Sequence, residues 1–111
     1  MNLSAEPLPH ALVIKVLENR IDAAGAIQFK ERMRELVAGS EPRVLLDLSQ
    51  VAFLDSSGLG AVVAVLKMIG PDRKLELSGL TQTVEKVFRL TRMDTIFTIH
   101  PALPEGMAHA R

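Results

Sequence analysis

The sequence predicts an α/β domain in which crossover helices pack on a small sheet. Short aliphatic runs alternate with longer segments of helical periodicity, in the order strand, helix, strand, helix, strand, helix, strand. Residues 44–48, Val-Leu-Leu-Asp-Leu, form a nearly continuous apolar run, as a strand buried on both faces does. The 111 residues suffice for a single core and contain no evident repeat or dividing linker. The expected organisation is a flexible lead-in over residues 1–10, one domain over residues 11–100 and a loose tail over residues 101–111.

Each element has a local reason. Pro7 and Pro9 disfavour regular structure in the lead-in. Residues 12–17, Leu-Val-Ile-Lys-Val-Leu, are rich in β-branched side chains and read as a strand. Asn19 and Arg20 then supply a turn, Asn being tolerant of the left-handed conformation. Over residues 26–38, Ile27, Phe29, Met33, Leu36 and Val37 recur near helical spacing. Lys30, Glu31, Arg32, Arg34 and Glu35 give that helix a solvated face, and Gly39 is placed to end it.

After the strand at 44–48, a loop through Phe53 and Leu54 leads to a buried helix over residues 59–69, which Gly70-Pro71-Asp72 breaks. Residues 74–78, Lys-Leu-Glu-Leu-Ser, alternate polar and apolar, which predicts a strand with one exposed side. Thr81 is a suitable N-cap for a helix reaching about Leu90, with Val84, Val87, Phe88 and Thr91 inward. Residues 96–99 read as a last short strand, and Pro101, Pro104 and Gly106 mark the tail.

Composition removes several function classes. Thirteen basic and thirteen acidic residues cancel, so the basic excess of a nucleic-acid binder is missing. There is no cysteine, hence no disulfide or thiolate chemistry, in keeping with a reducing cytoplasm. Residues 1–7 lack a basic patch followed by an apolar run, so no signal peptide is expected. The longest apolar stretch, residues 59–66, is far short of the roughly 20 residues of a membrane span. His10, His100 and His109 lie in or near the termini, away from the segments that would hold a catalytic imidazole rigidly. The third glycine of a dinucleotide loop and the Gly-Lys-Ser/Thr of a phosphate loop are both lacking. No enzymatic activity, cofactor or metal is expected.

The loop Asp55-Ser56-Ser57-Gly58-Leu59-Gly60 carries what chemistry remains. Ser56 or Ser57 can cap the following helix through its free amides, and Gly58 and Gly60 permit close approach of another backbone. A phosphate on a serine here would add about −1.5 to −2 charge, partly stabilised by the positive helix end and opposed by Asp55. Asp47 is expected to bond nearby loop amides. Met33, Met68 and Met93 are expected as core filler.

Residues 44–60 resemble the STAS domain family, and more narrowly the bacterial anti-sigma factor antagonists. In that family a strand of the form aliphatic-x-aliphatic-Asp-aliphatic precedes aliphatic-Asp-Ser-Ser/Thr-Gly-Leu-Gly. Here these are Val44-Leu45-Leu46-Asp47-Leu48 and Leu54-Asp55-Ser56-Ser57-Gly58-Leu59-Gly60. Leu17-Glu18-Asn19-Arg20-Ile21-Asp22 is similar to a further family segment, with Asn19 in place of the usual glycine. Gly25 stands where the family has a Ser/Thr-like residue, so a weaker cap is expected on the first helix. Residues 77–80 and 84–88 resemble the later strand and helix.

The resemblance implies a small mixed sheet of four to five strands with helices mainly on one face. It implies a cytoplasmic anti-sigma factor antagonist that switches partners. The unphosphorylated protein would bind a kinase-type anti-sigma factor, phosphorylation of Ser56 would release it, and a serine phosphatase would restore it. Asp22, Asp55, Ser56, Ser57, Gly58 and Gly60 would form the partner-binding face. The alternatives keep the fold: a STAS subunit of an ABC-type lipid-transport assembly, or a partner-switching regulator of secretion or motility.

Overall fold

A computed structural model describes residues 1–104. Five strands form the main sheet in the order β1-β2-β4-β6-β7: Leu3–Leu8, Ala11–Val16, Arg43–Asp47, Lys74–Ser78 and Thr98–His100. β1 pairs antiparallel with β2 and the remaining pairs are parallel. Two short strands, β3 (Arg20–Ile21) and β5 (Phe53–Leu54), form a separate parallel ribbon. Helices α1 (Ala23–Leu36), α2 (Ser56–Ile69) and α3 (Gln82–Leu90) share one core cluster with alternate strand residues, and so cover one face of the sheet.

Strand alternation explains the layering. Leu12, Ile14 and Val16 of β2, Val44 and Leu46 of β4, and Leu75 and Leu77 of β6 enter that core. It is filled by Phe29 and Met33 of α1, Val62 and Val65 of α2, and Val84 and Phe88 of α3. The edge-to-face pair Phe88–Phe97, with centroids 5.8 Å apart, closes it near β7. On the opposite face Ala11, Val13 and Leu45 form a small cluster against Leu8 and Leu103.

That opposite face also carries an ionic cluster built around one buried carboxylate. Glu76, expected on an exposed side of its strand, is only 4% exposed. Its carboxylate accepts two hydrogen bonds from the Arg43 guanidinium, at 2.7 and 2.9 Å. It also pairs at 2.7 Å with Nε2 of His100, which ends β7. The Arg43 hydrogen bonds outweigh desolvation and hold the Glu76 carboxyl down at about 2. Parallel register makes the cluster, since Arg43 lies opposite Lys74 and His100 opposite Ser78, flanking Glu76 from both sides.

Several local expectations are corrected. Residues 3–8 are not a flexible lead-in but β1, because Leu3 and Ala5 pack on the core and Pro7 tolerates an edge strand. Residues 53–54 are a strand rather than loop. Asn19 is not left-handed; among the described residues Arg92, φ 62°, is the non-glycine with positive φ, and it starts a 3₁₀ turn at Met93–Thr95. The first helix ends at Leu36, before Gly39. Thr81 caps α3 as expected, accepting from the Val84 amide at 3.4 Å. Asp47 accepts from the Ser49 amide at 2.9 Å, the bond to a loop amide expected of it. Of the tail, residues 105–111 lie outside the described residues, His109 among them.

Candidate functional site

The ribbon of β3 and β5 builds the site. Ile21 lies opposite Leu54 in register, and each is followed at once by an aspartate that starts a helix. Asp22 and Asp55 therefore stand side by side in almost the same extended conformation, φ/ψ −116°/−174° and −95°/−173°. Each accepts from the amide three residues on: Gly25 N–H to Asp22 Oδ1 at 3.2 Å, and Gly58 N–H to Asp55 Oδ1 at 2.9 Å. Asp55 Oδ2 also accepts from the Ala23 amide at 3.2 Å, tying the two helix starts together.

This corrects the expected cap. Neither Ser56 nor Ser57 caps α2; Asp55 does, and Asp22 rather than any residue near Gly25 caps α1. A carboxylate is the better acceptor here because it bonds the N-terminal amides and complements the positive helix end together. Ser56 and Ser57 become the first two helical residues, both exposed, with neither hydroxyl hydrogen-bonded to a described residue. Their own amides belong to the first turn, which has no intrahelical acceptor.

The glycines separate into two kinds. An added Cβ on Gly58 would lie 2.1 Å from the backbone oxygen of Ile21, so Gly58 is required where α2 crosses β3. The backbone it admits belongs to this chain. Gly60 meets nothing within 4 Å of an added Cβ and lies open on the surface.

All six residues singled out in the sequence lie on or next to the two helix starts. Of these, Gly58 is buried, Asp22 and Asp55 are half-buried and bonded, and Ser56, Ser57 and Gly60 are exposed. Two further residues adjoin the six. Phe53 of β5 is 45% exposed, and the Arg20 guanidinium lies 5.8 Å from its ring centroid while pairing with Asp22 at 3.6 Å. An aromatic residue two positions before the loop aspartate was the available signal. The spacing Ile21-Asp22-x-x-Gly25 and Leu54-Asp55-x-x-Gly58 was another, a local repeat visible once the two segments are aligned.

The chemistry open to this arrangement is limited and specific. Two helix N-termini converge beside an unbonded serine hydroxyl, but two carboxylates already satisfy the nearest amides. His100 is engaged with Glu76, and no group of three or more metal-ligating side chains occurs among the described residues. No described helix is long and apolar enough to cross a membrane.

Comparison with known proteins follows the same lines. The model of the STAS domain family matches residues 2–106. The anti-sigma-F factor antagonist RsfB of Mycobacterium tuberculosis is 24% identical over 102 residues, covering 92% of this chain and 84% of RsfB. An anti-sigma factor antagonist of Mycobacterium paratuberculosis superposes with a TM-score of 0.84 at 25% identity, covering 99% and 93% of the two chains. Bacillus SpoIIAA shares the fold in its unphosphorylated form, with a TM-score of 0.67, 19% identity and coverage of 96% and 94%. Its phosphorylated form gives 0.70, 18%, 99% and 100%.

Proposed function

We propose, from the premise that this chain belongs to the STAS domain family, that it is an anti-sigma factor antagonist that switches partners through phosphorylation of Ser56. One observation carries the reading. The two helix starts share cap, glycine and backbone angles, yet α1 opens with Ala23-Ala24 and α2 with Ser56-Ser57. Alanines do the structural task as well, so the hydroxyls at 56 and 57 are available for recognition. Between the two, Ser56 holds the motif position that the resemblance to the anti-sigma factor antagonists assigns to the phosphorylated serine.

In this reading Ser56, Ser57 and Gly60 meet the partner directly. Asp22, Asp55 and Gly58 hold the surface in shape, and Asp22 and Asp55 keep its potential negative. A kinase-type anti-sigma factor in the cytoplasm brings ATP and transfers its terminal phosphoryl group to the Ser56 hydroxyl; a serine phosphatase hydrolyses the ester. The domain itself catalyses neither step.

Magnitudes place the switch on binding rather than on folding. At an exposed helix start the dipole stabilises an anion by about 0.3–1 kcal/mol, and repulsion from nearby carboxylates in water is of similar size. The fold is thus nearly indifferent to the phosphate. A partner packed over Ser56 would have to desolvate a charge of about −2 between two carboxylates, at a cost of several kcal/mol, a hundredfold or more in affinity. Ser56→Asp should therefore weaken binding to the kinase-type partner at least tenfold with an unchanged melting temperature. Equal affinity of Ser56→Asp and parent would remove this mechanism.

A further inference from the structure

Between α1 and α2 runs a groove of about 510 Å³, which starts about one turn beyond Asp22 on α1 and about two and a half turns beyond Asp55 on α2. Ile27 of α1, 62% exposed, and Ala64 and Met68 of α2 form its apolar floor. Lys30 and Arg34 line it from α1, and Lys67 from α2. None of these three cations makes an ion pair within the described residues, as is also true of Lys74, Lys86 and Arg92, whereas Arg20, Arg32, Arg43, Arg73 and Arg89 all do. Glu31 is the one carboxylate in the lining. Met68, expected as core filler, packs against the core from a half-buried position and also lines this floor.

The groove continues the surface around Ser56. On α2, Ser56, Gly60, Ala64 and Lys67 fall on one row at helical spacing, and on α1 Ala23, Ile27, Lys30 and Arg34 do the same. Ser56 and Lys67 are about 16 Å apart along α2 at roughly 1.5 Å per residue. A standard interface covers about 800 Å² per partner, so a protein seated on Ser56 reaches the groove. Gly60, with open space beside it, keeps the floor low between the two ends.

We propose that this groove docks an acidic, amphipathic helix of the kinase-type partner. The apolar face of that helix lies on Ile27, Ala64 and Met68, and its carboxylates meet Lys30, Arg34 and Lys67. The proposal rests on the partner-switching reading and adds the chemistry of the segment that the partner must carry. An apolar floor with charged rims is the helix-in-groove mode of recognition. Three cations beside one acid fall short of the four to eight that mark a surface for anionic lipid. The lining offers no buried polar group to orient a small ligand.

Charge reversal at the three cations (Lys30→Glu, Arg34→Glu, Lys67→Glu, combined) tests this, as does Ala64→Gln, which puts a polar side chain on the apolar floor at a residue outside the core clusters. With the kinase that phosphorylates Ser56, each variant should raise the KM for this protein at least tenfold, and the phosphate that is incorporated should still map to Ser56. Added salt should weaken binding of the parent chain more than binding of the charge-reversed one. In the complex, hydrogen exchange should slow over residues 27–34 as well as at 56–60. Unchanged KM in both variants, or protection confined to residues 53–60, would overturn the groove and leave the Ser56 switch standing. Failure of the parent chain to bind the kinase would remove both. Binding of the parent chain to phosphatidylserine vesicles, lost on charge reversal while kinase binding persists, would assign the groove to a membrane and overturn the proposal.

Discussion

The two helix starts of this domain are built alike and differ in two residues. Asp22-Ala23-Ala24-Gly25 and Asp55-Ser56-Ser57-Gly58 each follow a register-paired aliphatic residue, adopt the same extended cap and bond the amide of the closing glycine. The fold thus supplies its own control. What both starts contain, the capping aspartate, is what each helix needs, and the glycine is required by packing only at 58. What one has and the other lacks, a pair of hydroxyls facing solvent, is what function can claim. The starts also differ in how tightly each is held, because Asp55 additionally bonds the Ala23 amide and Gly58 abuts the Ile21 carbonyl.

The sharpest test of that asymmetry is a glycine pair. Gly58→Ala forces a methyl group against the Ile21 carbonyl oxygen and should cost about 3 kcal/mol or more, read as a lowered denaturation midpoint or loss of soluble protein. Gly25→Ala meets only the mobile end of Met1, and a gain in helix propensity of about 1 kcal/mol offsets the contact. Equal losses at the two glycines would break the comparison.

A control far from both starts comes next. Glu76→Gln should cost roughly 2–3 kcal/mol by removing the charge shared by Arg43 and His100, and should leave phosphorylation of Ser56 unaltered. Because the folded carboxyl titrates at about 2 and the unfolded one near 4.5, its contribution is present above the unfolded value and fades as pH falls through this window. Acid denaturation of the parent should therefore be steeper between about pH 4.5 and 2 than that of Glu76→Gln.

The caps should rank below these. Asp55→Ala should destabilise by about 1–2 kcal/mol and Asp22→Ala by about 1 kcal/mol, since Asp55 serves both helices and Asp22 one. Ser56→Ala and Ser57→Ala, which convert the second start toward the first, should each shift stability by no more than about 0.5 kcal/mol. A large loss from either serine substitution would return the hydroxyls to structure.

The layered α/β alternation is legible in the sequence because residues 44–48 and 59–69 are apolar runs of strand and helix length and residues 74–78 alternate polar and apolar. β1 was hidden by Pro7 and Pro9, residues that disfavour strands in general but are harmless at a sheet edge. β3 and β5 were hidden by their length, two residues each, since pairing between segments so far apart leaves no local periodicity. At the site the loop residues stood out through their family pattern. The division of labour among them did not, because serine and aspartate are both good caps, and only the fold decides that Asp55 is used. Glu76 read as exposed because its partners come from β4 and β7, far away in the chain.

The central claim is that Ser56, not its neighbour, takes the phosphate. Intact-mass measurement with site mapping, after incubation with the cognate kinase and ATP, tests it on parent, Ser56→Ala and Ser57→Ala proteins. The account predicts one phosphate on the parent and on Ser57→Ala, placed at Ser56 in both, and none on Ser56→Ala. Stoichiometric phosphorylation of Ser56→Ala would contradict it.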